Sequence, residues 1–182
     1  MIPESDDLFI LDLFKPKRKS LNSKKKGNRV ELELTKLLTA KLKKSFSRSV
    51  GSGNRWGQVS NMPSHAKSTL TGDICPPENF KWVIECKGGY EDKIDLNSAI
   101  DDGCACLDDF IKQSLHDHEA CNRKPIIIWK RSRRPWLAMV RSIDLPAIDF
   151  TCAFRYREWM IVPLVRMLDE CAEDFWFDSK EG

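Results

Sequence analysis

No run of apolar residues in this 182-residue chain approaches the ~20 needed to span a bilayer. The opening stretch MIPESDDLFILDLF carries acids and no basic block, so it lacks the layout of a secretory signal. Seven cysteines, an odd number in irregular spacing, do not form a disulfide framework and argue for free thiols in a reducing compartment. Gly51-Ser52-Gly53 is not followed by Gly-Lys-Ser/Thr, which excludes a phosphate loop of the P-loop kind. His116, His118 and Cys121 lack the second ligand pair of a structural zinc site. There are no internal repeats. The expectation is a cytoplasmic protein with neither a membrane nor a small molecule as its partner.

Acids are missing where bases are concentrated. Residues 15–67 hold 15 Lys/Arg against two acids, Glu31 and Glu33, and residues 120–141 hold seven Lys/Arg and no acid. Residues 91–119 carry nine acids and two bases, and residues 149–182 eight acids and four bases. The formal net charge of +3 hides this segregation. Two basic blocks in an otherwise acidic chain point to a polyanionic partner, nucleic acid first. A solvated surface with a basic tail accounts for such blocks equally well when they are taken alone.

With 41% hydrophobic and 31% charged residues, the chain has apolar matter for a core of its own. Residues 1–23 read as a flexible arm, acidic and then basic; the basic run KPKRKSLNSKKK, residues 15–26, has seven positive residues in twelve and continues into the next segment. Residues 24–145 read as the main domain, and 146–182 as an acidic extension packed on it. Val30, Leu34, Leu37, Leu38 and Leu42 recur with helical spacing over about 26–44. Residues 46–50 predict a short strand, and 51–72, rich in Gly, Ser, Asn and Thr, a long loop. FKWVIECK (80–87) alternates as a strand. Leu96, Ile100, Cys104, Leu107, Ile111 and Leu115 predict one helix over 96–115. Ile126–Trp129 and Trp136–Val140 predict two strands joined by the basic turn KRSRR, with Trp129 and Trp136 in the core or in a dimer interface. A strand near 159–162 and a helix from Pro163 to about Phe175 complete the pattern. The fold expected is α/β, a mixed central sheet flanked by helices.

Three acids and a lysine stand out. On the first helix Glu31 falls inside the apolar arc and Glu33 just outside it. A buried-side carboxylate is costly unless it meets a cation or donors, so Glu31 either faces a site or pairs with a lysine at the helix edge. On the strand, Val83, Glu85 and Lys87 point one way and Trp82, Ile84 and Cys86 the other. Asp73 lies 12 residues before Glu85, at the expected end of a neighbouring strand, and Gly72 before it allows close backbone approach. Carboxylates converging beside a lysine make a hard-oxygen site of the kind Mg²⁺ prefers, with the Cys86 carbonyl expected nearby. A bound ion would polarise a phosphodiester, and the lysine would orient the attacking water or steady the developing charge.

The motifs K-G-x-x-x-E-x-E at Lys26–Glu33, R-S-x-G-S-G at Arg48–Gly53, G-D-I at Gly72–Ile74 and I-E-C-K at Ile84–Lys87 come in an order that resembles the PD-(D/E)XK nuclease superfamily. More narrowly it resembles the archaeal-type Holliday-junction resolvases and their phage relatives. The resemblance covers about residues 24–141. It implies a restriction-endonuclease-like core, Mg²⁺ or Mn²⁺ as cofactor, and a homodimer that cuts a four-way junction symmetrically in DNA recombination; a phage protein acting inside a host cell fits that reading. It assigns Glu31 as the first-helix acid, Asp73 and Glu85 as metal ligands, Lys87 as the catalytic lysine and Ser52 as a loop serine near the scissile strand. Many nucleases of this class place a supporting polar residue on the second helix, where Gln113 stands, and a solvated helix face accounts for Gln113 at least as well. The bases expected on the DNA backbone are Lys24, Lys25, Lys26, Arg29, Arg48, Arg55, Lys67, Lys130, Arg131, Arg133 and Arg134. Loop 51–67, with Arg55, Trp56, His65 and Lys67, is expected to order on branched DNA and to help select it. The sequence departs from the pattern in its longer loop between Ser52 and Asp73, in Gly72 where the nominal Pro stands, and in the tail beyond residue 142. A related nuclease with another DNA substrate, restriction-like or end-processing, and a non-catalytic DNA-binding protein of the same fold are the alternatives.

Overall fold

The computed structural model describes residues 23–49, 70–90, 92–146 and 153–179. Helix α1 (Ser23–Leu42) leads to a two-residue strand β1 (Ser47–Arg48). Strands β2 (Ile74–Cys75) and β3 (Trp82–Gly88) follow, then helices α2 (Leu96–Ile100) and α3 (Ala105–Cys121). Next come β4 (Lys124–Lys130), β5 (Trp136–Arg141), β6 (Phe154–Tyr156) and β7 (Trp159–Pro163). Helices α4 (Leu164–Glu170) and α5 (Glu173–Trp176) close the order. Among the described residues no helix is long and apolar enough to cross a membrane.

The five-stranded sheet runs β3-β4-β5-β7-β6. Only the β3–β4 pair is parallel; the other three are antiparallel, so the sheet is mixed as expected. A parallel pair needs a crossover, and α3 supplies it. Strict alternation then sorts each strand between two cores. Trp82 and Ile84 of β3, Ile126 and Ile128 of β4, and Ala138 and Val140 of β5 face α1, α4 and α5. Ile127, Trp129, Met139, Trp159 and Ile161 face α3. Trp129 and Trp136 are both buried in these cores.

Helix α1 packs through Val30, Leu34 and Leu38, the repeat read from the sequence, and ends where Lys43 turns left-handed at φ 55°. Its seat on the sheet depends on Gly88, because a Cβ there would lie 2.8 Å from Val30 Cγ2. Lys41 ties the helix to Asp169 of α4 at 2.6 Å.

Three expectations need correction. The single helix over 96–115 is two helices, broken at Asp101–Cys104. Asp102 sits at φ 53°, a backbone region open to Asp because its short side chain bonds locally. The Arg157 backbone N–H and guanidinium bind Asp102, and the Cys104 N–H bonds the Tyr156 hydroxyl, so the exposed break is held from the β6–β7 turn. In consequence Ile100 is 61% exposed rather than on the buried face, and α3 runs on to an αL cap at Asn122. The predicted strand 46–50 shortens to Ser47–Arg48. The last helix is split, with Cys171 extended between α4 and α5. Strand β6 was not anticipated: three residues are too short to show a period.

Candidate active site

The site lies where β3 ends, between α1 and α3. Strand β2 reaches it through a small antiparallel ribbon with β1. The Asp73 N–H bonds the Ile84 carbonyl and the Ser49 N–H bonds the Asp73 carbonyl, both at 2.9 Å. This stitch is close because residue 72 is glycine: its φ is +84°, and a Cβ would stand 2.8 Å from the Ile84 carbonyl oxygen. Gly72→Ala is therefore expected to destabilise the protein by roughly 1–3 kcal/mol and to displace Asp73; denaturant unfolding beside cleavage measures both.

Asp73 Oδ2 accepts the Cys86 backbone N–H at 2.8 Å. Lys87, 9% exposed at its side chain, donates to Glu85 Oε1 and to Gln113 Oε1 of α3. Its ammonium also lies 5.3 Å from the centroid of Phe110. Burial alone would pull Lys87 down, but the Glu85 carboxylate, through charge and hydrogen bond, and then Asp73 outweigh it, so Lys87 stands above the ordinary lysine value. Burial, followed by the Glu85 charge and then Glu31, pushes Asp73 up to about 8 against the opposing Cys86 bond. Cys86 is likewise raised by burial and the surrounding acids, which makes it an inert structural thiol.

Glu31 is buried on α1, and its partner is an arginine. Arg48 binds Glu31 Oε2 through Nε at 2.8 Å and Nη2 at 2.7 Å, and Nη2 also bonds Asn28 Oδ1 at 2.9 Å. Arg48, expected on the DNA backbone, is thus committed to the first-helix acid. Arg29 is solvent-facing and pairs with Glu33 at 3.5 Å. Lys24, Lys25 and Lys26 lie in the first turn of α1. In the β4–β5 turn Lys130 lies over Trp136 and Arg131 over Trp129, leaving Arg133 and Arg134 as the exposed cations. Ser52, Arg55, Trp56, His65 and Lys67 lie outside the described residues.

Sequence reasoning missed Asp117. It sits four residues after Gln113 on the buried stripe of α3 with Leu107, Phe110, Ile111 and Ser114. Burial, then the Glu85 charge and a hydrogen bond with Glu85, push it up to about 7. The signal was available: an acid inside an apolar arc, the same signal that marked Glu31.

Among the described residues no three His, Cys, Asp or Glu side chains already stand close enough to hold a metal ion. The donor chemistry nevertheless fits a hard cation. The Glu85 charge adds to burial in raising the cost of ionising Asp73, Lys87 offsets it, and the side-chain donors are oxygen. Asp73 and Glu85, with Glu31 if Arg48 releases it, are the residues that would hold the ion.

A mixed sheet with a parallel β3–β4 crossover, carrying D…E-x-K at the end of β3, defines a PD-(D/E)XK nuclease core. Residues 22–155 match a family model described as "Phage putative PDDEXK endonuclease". The chain belongs to this phage PD-(D/E)XK endonuclease family and is by class a nuclease. It is 31% identical over 134 residues to Protein D14 of Escherichia phage T5, covering 71% of this chain and 77% of that protein. No solved structure matches it significantly. PD-(D/E)XK nucleases generally use divalent metal ions.

Proposed function

We propose that the chain is a Mg²⁺- or Mn²⁺-dependent endodeoxyribonuclease that hydrolyses phosphodiester bonds in branched DNA. Its substrate in this reading is the four-way junction, and its working form is a homodimer, because symmetric cleavage needs two active sites. The observation that carries the nuclease chemistry is the Lys87 ammonium held between Glu85 and Gln113 beside Asp73. The motif order from Glu31 to Lys87 supports the narrower substrate.

Each residue has a physical task. Asp73 and Glu85 would hold the ion, which when bound polarises the phosphodiester and acidifies a water. The Cys86 N–H fixes one oxygen of Asp73. Glu85 and Gln113 restrict Lys87 to one position, from which its N–H groups orient the attacking water and offset charge developing on the phosphorus oxygens. Arg48 orients Glu31. Phosphate contacts fall to the exposed cations, Arg133 and Arg134 first. Replacing both by Ala is expected to weaken binding to every DNA and to reduce the log–log salt slope by about 2. An unchanged slope removes that turn from the interface.

The deciding experiment compares a four-way junction with a linear duplex of the same sequence, with and without Mg²⁺ or Mn²⁺. Ion-dependent, paired cuts near the branch point are expected. Equal cleavage of duplex and junction would point to a restriction-like or end-processing enzyme, and binding without cleavage under either ion to a non-catalytic DNA-binding protein.

A further inference from the structure

Just past Lys87 the chain makes a turn that the nuclease chemistry above does not use. Gly89 and Tyr90 are both left-handed, at φ 92° and 66°. For a bulky residue such as tyrosine that backbone is strained, and strain of this kind persists only where surrounding structure enforces it. Here the enforcement is visible. The Trp129 indole N–H bonds the Gly89 carbonyl at 2.8 Å, the Gly89 N–H bonds the Lys130 carbonyl at 2.8 Å, and the Lys93 N–H bonds the Tyr90 carbonyl at 3.1 Å.

The turn delivers the Tyr90 ring to the mouth of the site. The ring meets Phe110 edge-to-face, with centroids 5.0 Å apart. Phe110 in turn meets Trp129 and lies beneath the Lys87 ammonium. Tyr90 therefore shares one aromatic neighbour with Lys87, yet it remains 37% exposed while Phe110 and Trp129 are buried. The Lys93 ammonium lies over the same ring, 5.7 Å from its centroid. A fixed, solvent-facing ring near the lysine, with an exposed cation above it, suits a nucleotide: the base takes the ring and the ammonium its phosphate.

We propose that Tyr90 is a substrate-binding, specificity-determining residue whose ring stacks on an unstacked nucleobase face next to the phosphate that Lys87 addresses. Bases stacked within a duplex offer no free face, so this contact favours DNA with an exposed base face, as at a branch point or in a single strand. The proposal rests on the nuclease reading above and names a source of its substrate choice.

The test uses the full chain in EDTA, so that binding is read apart from cleavage. The probes are a four-way junction with 2-aminopurine at a branch-point nucleotide, the same junction with an abasic residue there, and a duplex of the same sequence. The wild type is expected to quench 2-aminopurine and to bind the abasic junction roughly 5- to 150-fold more weakly than the intact one. Tyr90→Leu is expected to lose the quenching and to fall by the same factor on the intact junction. It should show no further loss on the abasic one and stay within about twofold on duplex. Tyr90→Phe keeps the ring and is expected to retain wild-type affinity, which a role for the hydroxyl in positioning Lys87 would not allow. If the wild type binds intact and abasic junctions equally, the stacking role is overturned, whether or not the variants fold. Ion-dependent cleavage by the wild type is scored separately. A protein that cuts but ignores the missing base refutes only the role of Tyr90, whereas one that cuts no DNA refutes the nuclease reading beneath it.

Discussion

Asp73→Asn is expected to reduce cleavage by at least about a hundredfold and, at pH 8 without metal, to make the protein more stable than the wild type. The first effect follows from losing an ionised oxygen donor to an ion that contributes several kcal/mol of charge stabilisation. The second follows from the site's electrostatics. Asp73 is raised to about 8 from an ordinary value of 3.8, by burial first and by Glu85 second. The folded state therefore holds this proton more tightly than the unfolded chain, so wild-type stability falls as pH rises from about 4 through about 8. Asn keeps the acceptor for the Cys86 N–H but has no charge to bury. The gain should be near zero at pH 4 and roughly 1–4 kcal/mol at pH 8, read as about 2–4 °C in Tm per kcal/mol. Divalent ion should offset this gain, stabilising the wild type by about 2.7 kcal/mol at a hundred times its Kd and leaving the variant unmoved. Equal Tm values at pH 8, with no response to ion, would mean that the Asp73 charge is already neutralised within the protein and that no ion belongs there.

Lys87→Met should lose cleavage to a similar extent but move stability the other way. The ammonium offsets Glu85 and Asp73 and is 9% exposed at its side chain. Removing one member of such a buried cluster costs roughly 3–5 kcal/mol, because it leaves charge unpaired. Lys87 lies above its ordinary value, so its contribution is present throughout the neutral range and lost only as pH rises through its own alkaline titration. The cost of Met should shrink as pH falls through about 8 and then about 7, where Asp73 and Asp117 take up protons instead. Thermal melts of both variants across pH 4–9 test the pair together: same sign in activity, opposite signs in stability. A Lys87→Met protein as stable as the wild type at pH 8 would show that the lysine is not the counter-ion of the acids.

Much of this centre was legible in the chain because it rests on periods that tolerate no slippage. Two-residue alternation put Glu85 and Lys87 on one face of β3, and helical spacing put Glu31 inside the apolar arc, between Leu34 and Leu42. The partner of Glu31 was not legible: Arg48 reaches it from a two-residue strand, and nothing local marks that contact. The break between α2 and α3 was missed because apolar spacing continues across it, while Asp101-Asp102-Gly103, a turn signal, was outweighed. Asp117 and Tyr90 escaped for different reasons. Asp117 looked like one more acid in an acidic segment, and the exposure of Tyr90 depends on a backbone turn that Trp129 and Lys130 enforce from another strand.

The start of β3 is held by residues made long after it. The Trp82 indole N–H bonds the Phe175 carbonyl 93 positions away, and the Lys81 N–H bonds the Trp176 carbonyl. Phe175 and Trp176 pack their rings on Trp82, and Asp178 closes on Asn79. Bringing such distant segments together carries a loop-closure cost that must be met before the contacts return anything, so chains with this wiring fold slowly. Helices α1 and α3 form from local contacts and are expected to order early. The first residues of β3 are then expected to be fastened late, once residues 175–178 arrive, so the strand that carries Glu85 and Lys87 gains its last anchor from segments far along the chain.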